Sequence, residues 1–184
     1  MNATTQGPTP ASTALTARLA SMPAQWGAGY PLGLDERGVV GRFFKCELSS
    51  QFFPFKLGAA SVVRAGLMVR GPDGEPFPVD KLFSLASGAD GLLKLDRLCR
   101  LIHALNHFVV QAQTVPLLMP IHPRLFDYVK VAHGRTFARM LAHFDLTPAS
   151  IILEVPDQLP QFVLDGYLGE GFTLRIAEST PTEA

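Results

Sequence analysis

The sequence predicts an α/β fold, on three observations. Residues 115–121 and Ile151–Val155 are apolar over strand length and read as buried strands. The stretch 90–113 places apolar residues at helical spacing. From residue 78 onward, helical and strand patterns alternate, as parallel β–α units require. The length of 184 residues suits one domain.

Residues 1–25 are mostly Ala, Thr, Ser, Pro and Gln, with Arg18 the only charged side chain. That composition reads as a mobile tail, or as a tether or partner-binding arm. Gly27, Gly29, Pro31, Gly33 and Gly38 mark a loop-rich passage. The expected organisation is a flexible segment over 1–38 and an α/β domain over 39–184. Residues 42–48 read as a strand, with Phe44, Cys46 and Leu48 alternating with Lys45 and Glu47. A second short strand covers 51–55, with Pro54 near an edge or end. A third covers 60–70 and is stopped by the turn Gly71-Pro72-Asp73-Gly74. Pro78-Val79-Asp80 opens a helix with Asp80 as its N-cap.

Leu92, Leu95, Leu98, Cys99, Ile102, Leu105 and Val109 give the next helix, over 90–113, one apolar stripe. The strand at 115–121 is followed by a helix over 123–144 and a turn over 145–148. After the strand Ile151–Val155 come a short helix over 158–168 and a last strand over 172–177. No internal repeat is visible.

Composition excludes several classes. There are 16 Lys+Arg against 16 Asp+Glu, so the net charge is zero and no global field draws in nucleic acid. At 47% hydrophobic and 17% charged residues, the chain is not a disordered one. Two cysteines, Cys46 and Cys99, are too few for a disulfide scaffold of this size. No basic start precedes an apolar run, and no apolar stretch approaches the roughly 18 residues of a spanning helix. A cytoplasmic protein with no membrane and no nucleic-acid partner is expected. Arg97, Arg100, Arg124, Lys130, Arg135 and Arg139 read as solvated helix faces rather than a nucleic-acid surface.

Cys99, His103 and His107 stand four apart on one predicted helix. They read either as zinc ligands or as a core thiol with two helix histidines. Three ligands spread over two helical turns converge poorly on one ion, and the Glu of a metalloprotease helix is missing. No nucleophile elbow, Walker string or Gly-x-Gly-x-x-Gly occurs.

The local strings, in their order, match one family. Phe52-Phe53-Pro54-Phe55 stands where that family has a Tyr-Gln-Pro-Ile strand, and Gly66-Leu67-Met68-Val69-Arg70 where it has Glu-Ala-Leu-x-Arg. LLMPIHPRLF at 117–126 resembles its Asn-Leu-Ser strand and the helix after it. LTPASIILEVPD at 146–157 resembles Leu-x-Pro-x-x-Leu-x-Leu-Glu-Ile-Thr-Glu, and 171–178 resembles the strand ending in Asp-Asp. From about Gln51 onward the chain resembles the EAL domain, which hydrolyses cyclic di-GMP. The resemblance implies a partial TIM-barrel-like sheet with outer helices and a bacterial signalling context.

Two-metal phosphodiester hydrolysis needs several hard oxygen ligands around two divalent cations. The resemblance puts those ligands at positions that are mostly changed here. The Glu of Glu-Ala-Leu is Gly66, the Asn is Pro120, and the Asp-Asp pair is Ala177-Glu178. Glu154 matches one Glu of Glu-x-Thr-Glu, and the other is Asp157. The family's later strands, with a Lys and further acidic ligands, have no counterpart. A degenerate, C-terminally truncated domain that is not an enzyme and needs no cofactor is therefore expected. Arg70 matches the family's phosphate-contacting Arg; it is either a remnant nucleotide contact or a strand-end Arg before a turn, solvated or paired to Asp73. Glu154 is either a remnant ligand or a carboxylate partnered by a backbone N–H or an Arg. An incomplete barrel leaves an open apolar face, and Phe43, Phe44, Phe52, Phe53, Phe55, Phe77 and Phe83 are dense. The expected role is regulatory, through a protein partner or self-association on that face. The alternative is a cyclic di-GMP receptor without hydrolysis.

Overall fold

The computed structural model describes residues 10–23, 26, 31–128 and 133–177. β1 (Leu32–Asp35), β2 (Gly38–Phe43), β3 (Cys46–Leu57) and β4 (Ala60–Arg70) form an antiparallel meander. β5 (Leu117–Pro120), β6 (Ile151–Val155) and β7 (Thr173–Ile176) add to it in parallel. The sheet has seven strands in sequence order, with β1 and β7 at its edges, so it is mixed and not closed. The barrel-like expectation fits only the parallel run from β4 to β7.

The helices are α1 (Pro10–Ala20), α2 (Val79–Leu85), α3 (Gly88–Ala104), α4 (His133–His143) and α5 (Gln161–Leu168). Strand side chains alternate between two faces. Leu48, Val69, Ala65, Leu117, Met119, Ile151, Leu153 and Val155 point to the face covered by helices. There Leu92, Leu95, Leu98, Ile102 and Leu105 bury the apolar stripe of α3 completely. The opposite face holds a small cluster of Val62, Leu118 and Ile152 with Phe55 and Leu57, drawn from strands alone.

Several elements differ from their sequence patterns. The strand expected over 42–48 is a hairpin, with β2 and β3 joined by the two-residue loop Phe44-Lys45. Phe44 takes a left-handed backbone (φ 51°), which no Gly or Asn announces. The expected strands at 42–48 and 51–55 therefore share β3, whose 12 residues reach Leu57. Asp80 lies in the first turn of α2 rather than at its cap, which is Pro78. The helix expected over 90–113 becomes a π turn at Leu105–Val110 and ends there. The one expected over 123–144 is a 3₁₀ turn, Pro123–Asp127, followed by α4.

Within the segment 1–38, residues 10–20 are helical and Leu32–Asp35 is the edge strand. Leu15 is buried in the main core, with Leu19, Met22 and Trp26 packed around it. Arg18 bonds Asp145 at 2.8 Å and the His143 carbonyl, and lies 5.6 Å from the Phe144 ring centre. Four apolar residues spaced through a Thr- and Ala-rich stretch thus dock it, a weaker signal than its polar composition.

One buried side chain joins the meander to the helices. Backbone pairing of β2 with β3 runs from Phe43↔Cys46 to Gly41↔Leu48, and the next hydrogen-bonded pair in that alternation would be Val39↔Ser50, two residues on. Asn106, in the π turn, occupies that gap. Its Oδ1 accepts from Val39 N at 2.6 Å, and its Nδ2 donates to Val39 O at 2.8 Å and to Ser50 Oγ at 3.2 Å. Gly38 precedes this contact because a Cβ there would strike Asn106 Oδ1, and its φ of 113° suits glycine alone. Ser50 Oγ accepts from Asn106 and shares a second hydrogen bond with His103 Nδ1 at 2.8 Å.

Removing the amide strands the Val39 N–H and C=O in the core. Asn106→Ala should lower stability to urea by about 3 kcal/mol, and Ser50→Ala by about 1 kcal/mol. Burial pushes the His103 pKa down from 6.5 to about 4. Below pH 6.5 the unfolded chain takes a proton that the folded chain refuses. Stability should therefore fall as pH drops from 6.5 to 4, by up to about 3 kcal/mol from this group. Denaturation across that range checks it, and His103→Gln should flatten the profile.

Candidate functional site

The candidate site lies on the sheet face without helices, at the C-terminal ends of the parallel strands. This is where parallel α/β folds assemble their sites. In β6 the alternation turns Ile151, Leu153 and Val155 into the helical core and Ile152 and Glu154 to the other face. Register sets Pro120, Glu154 and Arg175 side by side across β5, β6 and β7. Arg64 on β4 shares the face with Val62 and Gly66.

Glu154 is 6% exposed and is held from both sides. Arg64 Nη2 donates to Oε2 at 2.6 Å, and Arg175 Nη1 donates to Oε1. The Arg175 guanidinium also stacks over Phe55, 5.0 Å from the ring centre. Two guanidinium groups bracket one carboxylate. A divalent cation approaching Glu154 meets both, so the clamp disfavours metals. Glu154 is thus an organiser of two arginines, one of the two partner types its sequence left open.

The other positions are placed as follows. Gly66 lies under the Phe53 ring, where a Cβ would come within 3.0 Å of Phe53 Cε2. Phe53 itself is 46% exposed. Pro120 and Asp157 are exposed. Ala177 donates its backbone N–H to Val155 O at 2.8 Å, continuing the β6–β7 pairing. Glu178 lies outside the described residues. Arg70 is exposed at the end of β4 and donates to Gly74 O at 2.9 Å, within its own turn, rather than to Asp73. It sits four residues beyond Gly66, roughly 13 Å along the strand. The structure brings Glu154 together with Arg64 and Arg175, and does not bring it to Arg70.

Arg64 and Arg175 were missed in the sequence. Arg64 is the one charge inside β4, which Arg70 ends, Arg175 is the one charge in β7, and each shares the alternation of the open face. That signal could have found them. Among the described residues, no three His, Cys, Asp or Glu side chains group to hold a metal ion. His103 is committed to Ser50, and His107 Nε2 donates to Val115 O at 2.7 Å. Burial moves the His107 pKa below its ordinary value, with the Val115 contact opposing.

No family model matches the chain, and no curated protein does. Among solved structures it is similar to Klebsiella pneumoniae BlrP1 with FMN and cyclic diGMP and no metal ions, at 15% identity and a TM-score of 0.48. It is also similar to the pH 9.0 manganese and cyclic diGMP complex of BlrP1, at 15% identity and a TM-score of 0.44. Each match covers 94% of this chain and 46% of the BlrP1 chain. The chain thus spans about half the length of the protein it matches.

Glu154→Ala leaves two arginines facing each other, one of them Arg175 with a side chain only 14% exposed. It should cost about 2 kcal/mol in denaturant unfolding. Arg64→Ala should cost under about 1 kcal/mol, because its side chain is 42% exposed to water.

Proposed function

We propose that this chain is a non-catalytic regulatory protein on an EAL-like scaffold, working in bacterial cyclic di-GMP signalling. It acts by binding a protein partner, or a second copy of itself, through the open face of β3 to β7. The observation that carries this reading is the clamp on Glu154. The one matching acidic position in β6 is neutralised by Arg64 and Arg175. Gly66, Pro120 and Ala177 offer no side-chain oxygen, so these three matched positions supply no ligand to a pair of metals. Asp157 and Glu178 complete the degenerate positions. On the same face Phe53 and Met68 are exposed beside a strand-only apolar cluster, a surface that association would cover. The reading places the working unit at 39–184 and the protein in the cytoplasm. It needs no cofactor.

The second reading is a cyclic di-GMP receptor without hydrolysis. The guanidinium groups of Arg64 and Arg175 on this face favour it, with Arg70 and Glu154 as the remnant contacts.

Calorimetric titration with cyclic di-GMP, with and without Mg²⁺ and Ca²⁺, separates the two. For the interaction reading we expect no heat. Light scattering should then show a concentration-dependent oligomer, or a partner should co-purify. Phe53→Glu should weaken either contact at least tenfold. Saturable micromolar binding lost in Arg70→Ala or Arg175→Ala makes the receptor reading correct. Mg²⁺-dependent hydrolysis abolished by Glu154→Ala overturns both.

A further inference from the structure

The open face of β3 to β7 is curved. β7 is separated from β3 by β4, β5 and β6. In a flat sheet the two would stand about 19 Å apart, at about 4.8 Å per strand. Arg175 of β7 nevertheless lies 5.0 Å from the ring centre of Phe55 on β3. Side chains standing off a flat sheet cannot close that gap, so the sheet curls toward this face and makes it concave. The floor is filled from within, where Val62, Leu118 and Ile152 are buried against Phe55 and Leu57. The exposed part is a band on β3 and β4. Register sets Phe53 beside Arg64, Gln51 beside Gly66, Ser49 beside Met68 and Glu47 beside Arg70. Phe53 is 46% exposed and Met68 36%.

Shape argues against a second copy on this face. A twofold contact sets a surface against itself. Two concave faces meet only at their rims and enclose a void, whereas a stable interface packs as densely as a protein interior. The occupant is therefore convex and narrow, and a helix about 10 Å across has that form. Charge gives its sign. The seven strands carry three carboxylates, Asp35, Glu47 and Glu154, and arginines hold all of them. Arg37 takes Asp35 and Glu47, and Arg64 with Arg175 takes Glu154. Arg42 and Arg70 share the face, flank Glu47 in register and are exposed. Neither is in an ion pair among the described residues. Arg64 and Arg70 stand at the two ends of the β4 band, roughly 20 Å apart, with Gly66 and Met68 between. That is the length of about 13 helical residues.

We propose that the open face binds an acidic amphipathic helix of a different protein. The helix lies along β3 and β4, with its apolar stripe on Phe53 and Met68 and its carboxylates at Arg42 and Arg70. This rests on the interaction reading of that face and decides between its two kinds of partner.

The test uses the full chain and two stapled helical peptides of about 13 residues. One is built of Leu, Ala and Glu at helical spacing, and the other has Lys for every Glu. Light scattering over a wide concentration range should show a monomer. Calorimetry should show saturable binding of the acidic peptide, weakened by salt, and none of the basic one. Phe53→Glu should weaken it at least tenfold, and so should Arg42→Glu combined with Arg70→Glu. Arg139 is exposed on α4, which packs on the other side of the sheet, so Arg139→Glu should leave binding within about twofold. Equal loss in Arg139→Glu overturns the docking site, because net charge then explains the binding. Equal binding of the basic peptide overturns the acidic partner, and so does no binding of either peptide. A concentration-dependent dimer that Phe53→Glu dissolves overturns the inference and leaves the interaction reading standing. Saturable cyclic di-GMP binding lost in Arg70→Ala overturns that reading itself, and the inference with it.

Discussion

The fold depends on the side-chain amide of Asn106 standing in for a stretch of missing β-ladder. β2 and β3 part after Gly41↔Leu48, and the Val39 backbone would be left unpaired in the core. Asn106 answers both its N–H and its C=O, and holds Ser50 on the neighbouring strand. An amide can do this because it has the donor and acceptor of a peptide group. The π turn is what delivers it. Its wider i→i+5 bonding re-aims the end of α3, so that both Asn106 and His107 enter the interior. Through this contact the antiparallel meander and the helical layer become one core.

The two faces of the sheet then meet different fates. One face receives α3, α4 and α5, and its alternate residues build two large clusters. Within that layer Asp96 and Arg100 sit one helical turn apart, and the guanidinium stacks on Phe137 at 4.5 Å. Burial pushes the Asp96 carboxyl up, opposed by Arg100 beside it. A buried pair of this kind is a weak source of stability and a strong source of specificity only where its remaining donors are satisfied. The Nε and Nη1 of Arg100 are enclosed by protein, with the Tyr167 hydroxyl beside the guanidinium. The other face is covered by strand side chains alone, and its charged cluster has the opposite logic. There Glu154 is buried, and the two arginines that neutralise it reach outward to different degrees, 42% for Arg64 and 14% for Arg175. One polar group thus serves the interior and the other the surface.

Much of this was legible residue by residue. β4 and β6 are bounded as their patterns say, because a turn string closes one and Pro flanks the other on both sides. The apolar stripe of α3 was readable through Leu105, since 3.6-residue periodicity is a local property. The hairpin at Phe44-Lys45 was not, because alternation passes unbroken through a turn that contains no turn residue. The docking of α1 was hidden by a composition that resembles a tail, and is decided by Leu15 finding the core. Around the candidate site, Gly66, Pro120, Glu154 and Ala177 were singled out from strings as expectations. Arg64 and Arg175 were not, because each matters only through a carboxylate 90 or 21 residues away.

By itself the sequence determined the class of the fold, the apolar stripe of α3, and that Gly66, Pro120 and Ala177 carry no side-chain oxygen. These follow from periodicity and from side-chain chemistry, which need no partner. Only the tertiary structure decided that Glu154 is claimed by two arginines. Pairing and enclosure are properties of residues far apart in the chain, and no local pattern encodes which distant group arrives.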